Sequence, residues 1–314
     1  MYVDTAEYTG NGIQDSVQKA ELEFVWLEIT GKCNLTCNHC YADSGPKVDL
    51  HGRMALNDWL AVMTEAQELG CTQIQFIGGE PTLHPNLETM IEHATTIGCT
   101  FIEVFTNATR VTSRLVERCQ ASRVHLACSF YSTNPDVHER ITQGPGSFAR
   151  TVEGIRKIVA AGIPLRVGVI EMDENRGRAG ETRSFLQELG VRDIKVDRQR
   201  GVGRGGVRIT SQHSLLNELC GQCSKGKLCV TSEARCYPCV FSRFIDLGDA
   251  RGGLRRILTS SALHKFRQEL DSLNGNAGSA AHGQGCTPYG CPPYCGPHCG
   301  PICQPTCNPC IPQS

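Results

Sequence analysis

The sequence predicts a parallel α/β fold, either a six-unit open barrel or a doubly wound sheet, followed by a small Cys-rich extension. Two observations predict it. From about residue 24, short runs rich in β-branched and aromatic residues alternate with amphipathic segments, the pattern of parallel β/α units. Several of the amphipathic segments stop at a glycine directly before the next strand, where glycine can take the left-handed conformation that ends a helix.

In chain order, the first strand candidate is Phe24 to Ile29, followed by a helix candidate from Asn57 to Leu69 that stops at Gly70. The second strand is Gln73 to Ile77, and its helix, Asn86 to Ile97, stops at Gly98. Strands follow at Phe101 to Phe105 and Val124 to Phe130, then, after Gly162 and Gly190, at Leu165 to Glu171 and Asp193 to Val196. Six such units in about 175 residues are too few for a closed eight-fold barrel. Right-handed crossovers still put every strand's C-terminal end on one face, and that face is expected to hold the chemistry.

After Gly206 the rhythm changes. Cys220, Cys223, Cys229, Cys236 and Cys239 lie around a hairpin-like stretch, Leu228 to Pro238, and a helix candidate runs from Leu254 to Leu273. The segment Asn274 to Gly285 has no apolar face and reads as a linker. Beyond it, Cys286, Cys291, Cys295, Cys299, Cys303, Cys307 and Cys310 are interleaved with Pro and Gly, a stretch that needs metal to order it. The expected organisation is an N-terminal segment 1–20, a core domain 21–206, an auxiliary domain 207–273 and a linker with Cys-rich tail 274–314.

Composition narrows the function. With 31 basic against 32 acidic residues there is no field favouring nucleic acid or anionic lipid. No apolar run is long enough to span a bilayer, and the start Met1 to Asn11 lacks the regions of a signal peptide, so a cytoplasmic protein without membrane or nucleic-acid partners is expected. Against that setting 19 cysteines point to metal. A disulfide framework is the alternative, disfavoured by the odd count and the length of the chain. Cys71, Cys99, Cys119 and Cys128 stand apart from the clusters and read as core thiols.

Cys33, Cys37 and Cys40 form a Cys-x3-Cys-x2-Cys run directly after the first strand. A tight loop can place three thiolates on three corners of a cubane iron–sulfur cluster, leaving the fourth iron open to a ligand. A structural zinc site, completed by His39 or His51, is the competing reading.

The run Cys33-Asn-Leu-Thr-Cys37-Asn-His-Cys40-Tyr41, followed at the second strand's end by Gly78-Gly79-Glu80-Pro81, resembles the radical S-adenosylmethionine (radical SAM) superfamily. The resemblance implies a partial (β/α)6 barrel, a [4Fe-4S] cluster on Cys33, Cys37 and Cys40, and S-adenosylmethionine bound to its open iron. It implies that the turn Gly78, Gly79, Glu80 and Pro81 receives the methionine amino group, which suits glycines that let backbone approach closely and an acidic group or carbonyl facing an ammonium. Asn107, in Thr106-Asn107-Ala108, resembles the family's Thr-Asn-Gly, and Ser129 sits where the family contacts ribose or carboxylate. Arg198 and Arg204, after the sixth strand, are candidate contacts on the same face, where a solvated loop or an ion pair serves as well. Gly201-x-Gly203-x-Gly205 misses the dinucleotide spacing.

Cys223-x5-Cys229-x9-Cys239 resembles the start of the SPASM/twitch extension of these enzymes. It implies one or two auxiliary [4Fe-4S] clusters on Cys223, Cys229 and Cys239 with tail cysteines, Cys220 and Cys236 being further candidates. The three-residue repeat of the tail departs from the full SPASM pattern. The implied activity is cleavage of S-adenosylmethionine to a 5′-deoxyadenosyl radical and oxidative cross-linking of a ribosomal precursor peptide. The implied partners are that peptide, an electron donor such as flavodoxin or ferredoxin, and a separate leader-peptide-binding protein. The alternatives are a radical SAM dehydrogenase or epimerase acting on a small polar metabolite or peptide residue, with Arg198, Arg204 or Glu171 binding the substrate and Cys128 or a spare thiol as hydrogen donor, and a non-catalytic metal protein. Asp173, Glu174 and Asp197 are the acidic candidates on the productive face.

Overall fold

The computed structural model describes residues 22–206, 215–216, 218–220 and 225–277. Its centre is a nine-stranded sheet in the order β6-β5-β4-β3-β2-β1-β7-β8-β9. The first six strands, β1 (Phe24–Thr30), β2 (Gln73–Gly78), β3 (Phe101–Phe105), β4 (His125–Phe130), β5 (Leu165–Glu171) and β6 (Asp193–Arg198), are parallel neighbours in chain order. The sheet is open, with β6 and β9 at its edges among the described residues.

Every residue of β1 is buried, as expected of a parallel strand covered on both faces. The crossover helices supply the cover. Helix α1 (Leu56–Glu68) turns Trp59, Val62, Met63 and Ala66 inward, at helical spacing, and α2 (Leu87–Thr96) does the same with Leu87, Met90, Ile91 and Ala94. Fully burying a Trp, Met or Ile of this kind contributes about 1.5–3 kcal/mol each. The remaining crossovers are α3 (Ser113–Ala121), the pair α4 (Pro135–Thr142) and α5 (Ser147–Ala160), and α6 (Ala179–Glu188). Gly70, Gly98, Gly162 and Gly190 all take positive φ, between 67° and 100°, directly past the ends of α1, α2, α5 and α6, as the sequence predicts.

The first, second and sixth strands run one or two residues further than expected, to Thr30, Gly78 and Arg198, and two other boundaries differ for local reasons. The fourth strand starts at His125 because Val124 still donates its N–H to the Cys119 carbonyl at 2.8 Å, closing the end of α3, and Arg123 has φ +52°. The helix expected from Leu254 to Leu273 is two helices, α7 (Leu254–Leu258) and α8 (Ser261–Ala277). Ser260 divides them, its Oγ accepting the Leu263 N–H at 3.3 Å as a cap.

The expected hairpin forms from β7 (Lys227–Thr231) and β8 (Arg235–Tyr237), joined by the two-residue β9 (Gly248–Asp249). It continues the main sheet: β7 pairs in parallel with β1, Trp26 opposite Cys229. A buried polar group joins residues of three strands. Arg166 on β5 donates to both oxygens of Glu103 on β3, at 3.1 and 2.9 Å, and Gln75 on β2 donates to Glu103 at 3.1 Å. No helix among the described residues is long and apolar enough to cross a membrane.

Candidate functional site

The C-terminal ends of the parallel strands open onto a solvent-open cleft lined by residues of several strand ends and loops. The loop after β1 brings Cys33, Cys37 and Cys40 into its wall together. The loop is held from several sides: Cys33 donates its N–H to the Gly45 carbonyl at 3.1 Å, Thr36 to Thr142 at 3.2 Å, and Asn38 to Ile141 at 2.9 Å. The Cys33 sulfur accepts the Leu35 N–H at 3.4 Å and the Asn107 side-chain amide at 3.8 Å.

The electrostatics of this trio indicate what it can hold. Burial pushes the Cys33 thiol up to about 12, and Glu80 and Cys40 add to the rise. The Cys37 thiol is pushed up further by burial and by repulsion from Cys33 and Cys40, with the Arg204 guanidinium opposing. Thiolates gathered this closely are stable together only when a cationic centre binds them. Among the described residues no three His, Cys, Asp or Glu side chains close on the position of a single metal ion. A cubane cluster makes no such demand, because its ligands sit on separate irons. The three thiols and the open cleft they share fit an iron–sulfur cluster with a small-molecule ligand beside it.

Gly78 and Gly79 line the same cleft. A Cβ on Gly78, whose φ is +145°, would lie 2.4 Å from the Thr30 carbonyl oxygen, and one on Gly79 would lie 2.1 Å from that of Lys32. Glycine is therefore demanded by the packing of the β2 end against the cysteine loop. The backbone is stitched there too, Gly79 donating to Thr30 at 2.7 Å and Glu80 to Lys32 at 2.8 Å. Glu80 and Pro81 are buried. The Glu80 carboxylate accepts the Thr82 N–H (3.1 Å), the Thr82 hydroxyl (2.7 Å), the Thr106 hydroxyl (2.6 Å) and the Asn107 N–H (2.7 Å). It braces the ends of β2 and β3, which leaves the backbone carbonyls of the glycines as the groups suited to an ammonium.

Asn107 serves the turn and the cysteine loop at once. Its Oδ1 accepts the Thr109 N–H at 3.0 Å, while its Nδ2 donates to Asn34 at 2.8 Å. Ser129 lines the cleft at the end of β4. Arg198 also lines it, with its guanidinium 3.0 Å from Glu218. Of the acidic candidates, Asp197 is ion-paired to Arg200 at 3.0 Å, though burial still raises its pKa. Asp173 is exposed and pairs with Arg176, and Glu171 accepts the Gly177 N–H at 3.0 Å.

Tyr131, Arg200 and Phe241 line the cleft without having been picked out in the sequence. Tyr131 carried a weak signal, since it lies two residues past Ser129 on the productive face. His39 lines the cleft with its ring 4.9 Å from that of Tyr131; its Nδ1 is buried with no hydrogen-bond partner, and burial together with Arg204 lowers its pKa to about 4. His51, the other candidate zinc ligand, instead packs against His84 at 5.4 Å between ring centres.

Of the second cysteine group, Cys229, Cys236 and Cys239 are buried and Cys220 is half-buried. Cys229 and Cys239 are close enough that each thiolate would repel the other, and burial raises the Cys229 thiol well above its usual value. Cys223 and the tail cysteines Cys286, Cys291, Cys295, Cys299, Cys303, Cys307 and Cys310 lie outside the described residues. Cys71, Cys119 and Cys128 are buried in the core, as the sequence predicts, whereas Cys99, expected with them, is half-buried and packs against the core's edge. Cys128→Ala is accordingly expected to leave the iron content unchanged while costing about 1 kcal/mol in lost packing; iron analysis beside urea denaturation checks both.

The sequence model of the Radical SAM superfamily matches residues 27–185. Among curated proteins, the chain is 28% identical over 182 residues to a PqqA peptide cyclase of Streptomyces rochei, covering 57% of this chain and 49% of that protein. It is 27% identical over 182 residues to the mycofactocin maturase MftC of Mycobacterium ulcerans, covering 57% and 47%. The chain thus spans about half the length of the curated relatives it matches. Among solved structures, SuiB of Streptococcus suis bound to the precursor peptide SuiA superposes with a TM-score of 0.65 at 13% identity, over 79% of this chain and 67% of that one. That likeness establishes the partial-barrel fold.

Proposed function

The chain belongs to the radical SAM superfamily, and on that premise we propose that it cleaves S-adenosylmethionine and oxidatively cross-links a ribosomally made peptide through a carbon–carbon, carbon–oxygen or thioether bond. The observation that carries the reading is the convergence of Cys33, Cys37 and Cys40 on an open cleft at the C-terminal ends of the parallel strands. When bound, the [4Fe-4S] cluster and S-adenosylmethionine supply a 5′-deoxyadenosyl radical able to take hydrogen from an unactivated C–H bond, and an auxiliary cluster supplies an acceptor for the second electron.

The chain's own residues do the holding. Cys33, Cys37 and Cys40 would hold the cluster, and the Gly78 and Gly79 carbonyls would receive the ammonium of S-adenosylmethionine. Asn107 orients the Cys33 side of the loop. Leu35, Ile77, Phe105, Tyr131, Ile170 and Phe241 give the cleft apolar walls that exclude water. Cys223, Cys229 and Cys239, with a tail cysteine, are assigned to an auxiliary cluster in residues 207–273 and beyond. Burial and proximity of Cys229 and Cys239 support this. A low-potential donor of the flavodoxin or ferredoxin class would reduce the first cluster, and the reading assigns the activity to the cytoplasm. A peptide substrate is supported by the names of the curated relatives and by the peptide in the SuiB structure.

The test is direct. Anaerobically reconstituted protein, given reductant, S-adenosylmethionine and each short peptide encoded beside it, is expected to form 5′-deoxyadenosine and to convert one peptide to a product lighter by two hydrogens. If 5′-deoxyadenosine forms while every peptide keeps its mass and a sugar or amino alcohol is oxidised, the substrate is a small metabolite instead.

A further inference from the structure

We propose that Arg204 is a positioning residue that fastens the cysteine loop from outside it and tunes the potential of the group the loop holds; this rests on the reading of Cys33, Cys37 and Cys40 as cluster ligands. Arg204 follows β6, 160 to 167 residues from the loop positions it grips. Its backbone N–H donates to the Cys40 carbonyl at 2.9 Å. Its Nε–H donates to the Cys37 carbonyl at 3.0 Å, and its Nη2 to the Ser44 carbonyl at 2.7 Å. One side chain and its own amide thus pin three carbonyls across the second half of the loop. A rigid planar fork presents donors at fixed, separated positions that match these two carbonyls, whereas the three donors of an ammonium radiate from one point and hold neither carbonyl in that geometry.

The glycines beside it show how closely the two segments lie. A Cβ on Gly203, where φ is +58°, would sit 2.4 Å from the Cys40 carbonyl oxygen and 2.5 Å from that of Tyr41. One on Gly205 would sit 2.6 Å from the Arg200 oxygen and 3.1 Å from that of His39. These glycines let backbone lie on backbone, which accounts for a run that lacks the spacing of a phosphate loop. The gripping turn is itself anchored. Gln199 donates to the Gly205 carbonyl at 2.9 Å, and Glu218 accepts the Gly201 N–H at 2.9 Å.

Two consequences follow for a cluster held by this loop. The ligands are arranged before it arrives, so that loosening the grip speeds its loss. The guanidinium also lies beside Cys37, its Nε 3.0 Å from that residue's carbonyl oxygen. A fixed cation there favours the state that carries the extra electron, so its removal moves the potential to more negative values.

The experiment uses the full chain, reconstituted anaerobically, as wild type, R204Q, R204K, G203A and the Cys33/Cys37/Cys40 triple alanine variant. Iron release to a chelator is timed, and the midpoint potential is read from the EPR signal that changes on adding S-adenosylmethionine. Circular dichroism of the metal-free proteins reports folding. R204Q is expected to release its iron at least about tenfold faster than wild type and to titrate at a more negative potential. R204K is expected to keep the potential and lose the retention, and G203A to lose retention through the backbone alone. Wild-type retention and potential in R204Q, beside a triple variant lacking the signal, would overturn the role of Arg204 and leave the ligand assignment standing. A triple variant that keeps the signal overturns the assignment itself. Should R204Q fail to fold, R204K decides, and wild-type retention in it counts against the proposal.

Discussion

Replacing any one of Cys33, Cys37 and Cys40 by alanine is expected to abolish 5′-deoxyadenosine formation and to lower the iron content by about four per chain. All three thiols line one cleft. His39 shares the cleft wall, but burial and the nearby Arg204 charge hold its imidazole neutral, and its one unpartnered nitrogen is buried. A loop with two thiols left therefore cannot retain a cubane at useful affinity. The metal-free proteins are expected to stay within about 1 kcal/mol of the unsubstituted chain, because each thiol is neutral without the metal and contributes only the packing of one small side chain. Iron and sulfide analysis, EPR and chromatography of the nucleoside check the first part, and urea denaturation the second. Unchanged iron in all three single variants would refute the assignment.

Glu80→Ala is expected to cost about 3–5 kcal/mol of stability and to remove S-adenosylmethionine binding with it. The side chain is fully buried and accepts four hydrogen bonds from three residues of two strand ends. Without it, the Thr82 and Asn107 amides and the Thr82 and Thr106 hydroxyls lose their acceptor in a closed space. Asn107 would then release Cys33. Glu80→Gln keeps the shape but turns donor N–H groups toward donors, so a smaller loss of about 1–3 kcal/mol is expected. Denaturation of the metal-free protein and calorimetric titration with S-adenosylmethionine measure the two effects. A Glu80→Ala variant within about 0.5 kcal/mol of the parent would show that the brace contributes nothing.

The strands of the partial barrel were legible because their signals are local. A run such as Phe101 to Phe105 is buried by its own composition, and Gly98 or Gly190 stops a helix by its own φ preference. The cysteine loop was legible for the same reason, its three thiols lying within eight residues. What could not be read were contacts between distant segments. Nothing near Arg204 announces the Cys37 carbonyl, because a backbone acceptor has no sequence identity. The four partners of Glu80 are likewise threonine hydroxyls and amides that any turn contains. The pairing of β7 with β1 was hidden because a short buried strand carries no mark of its neighbour. The break at Ser260 was overlooked because serine is tolerated within helices as well as at their starts.

That pairing of β1 with β7 also sets an order of events during synthesis. Phe24 leaves the ribosome long before Lys227, its opposite in the ladder. At roughly 5–20 residues per second, β1 waits some ten to forty seconds for its second neighbour. In that interval β2 through β6 can assemble, since each needs only the strand just made. The cysteine loop can thus be gripped from the β6 side while one edge of β1 is still bare. An exposed parallel edge is prone to wrong partners, so the newly made chain is most vulnerable to aggregation just before the hairpin arrives, and the last strand pairing serves as the lock on a site already shaped.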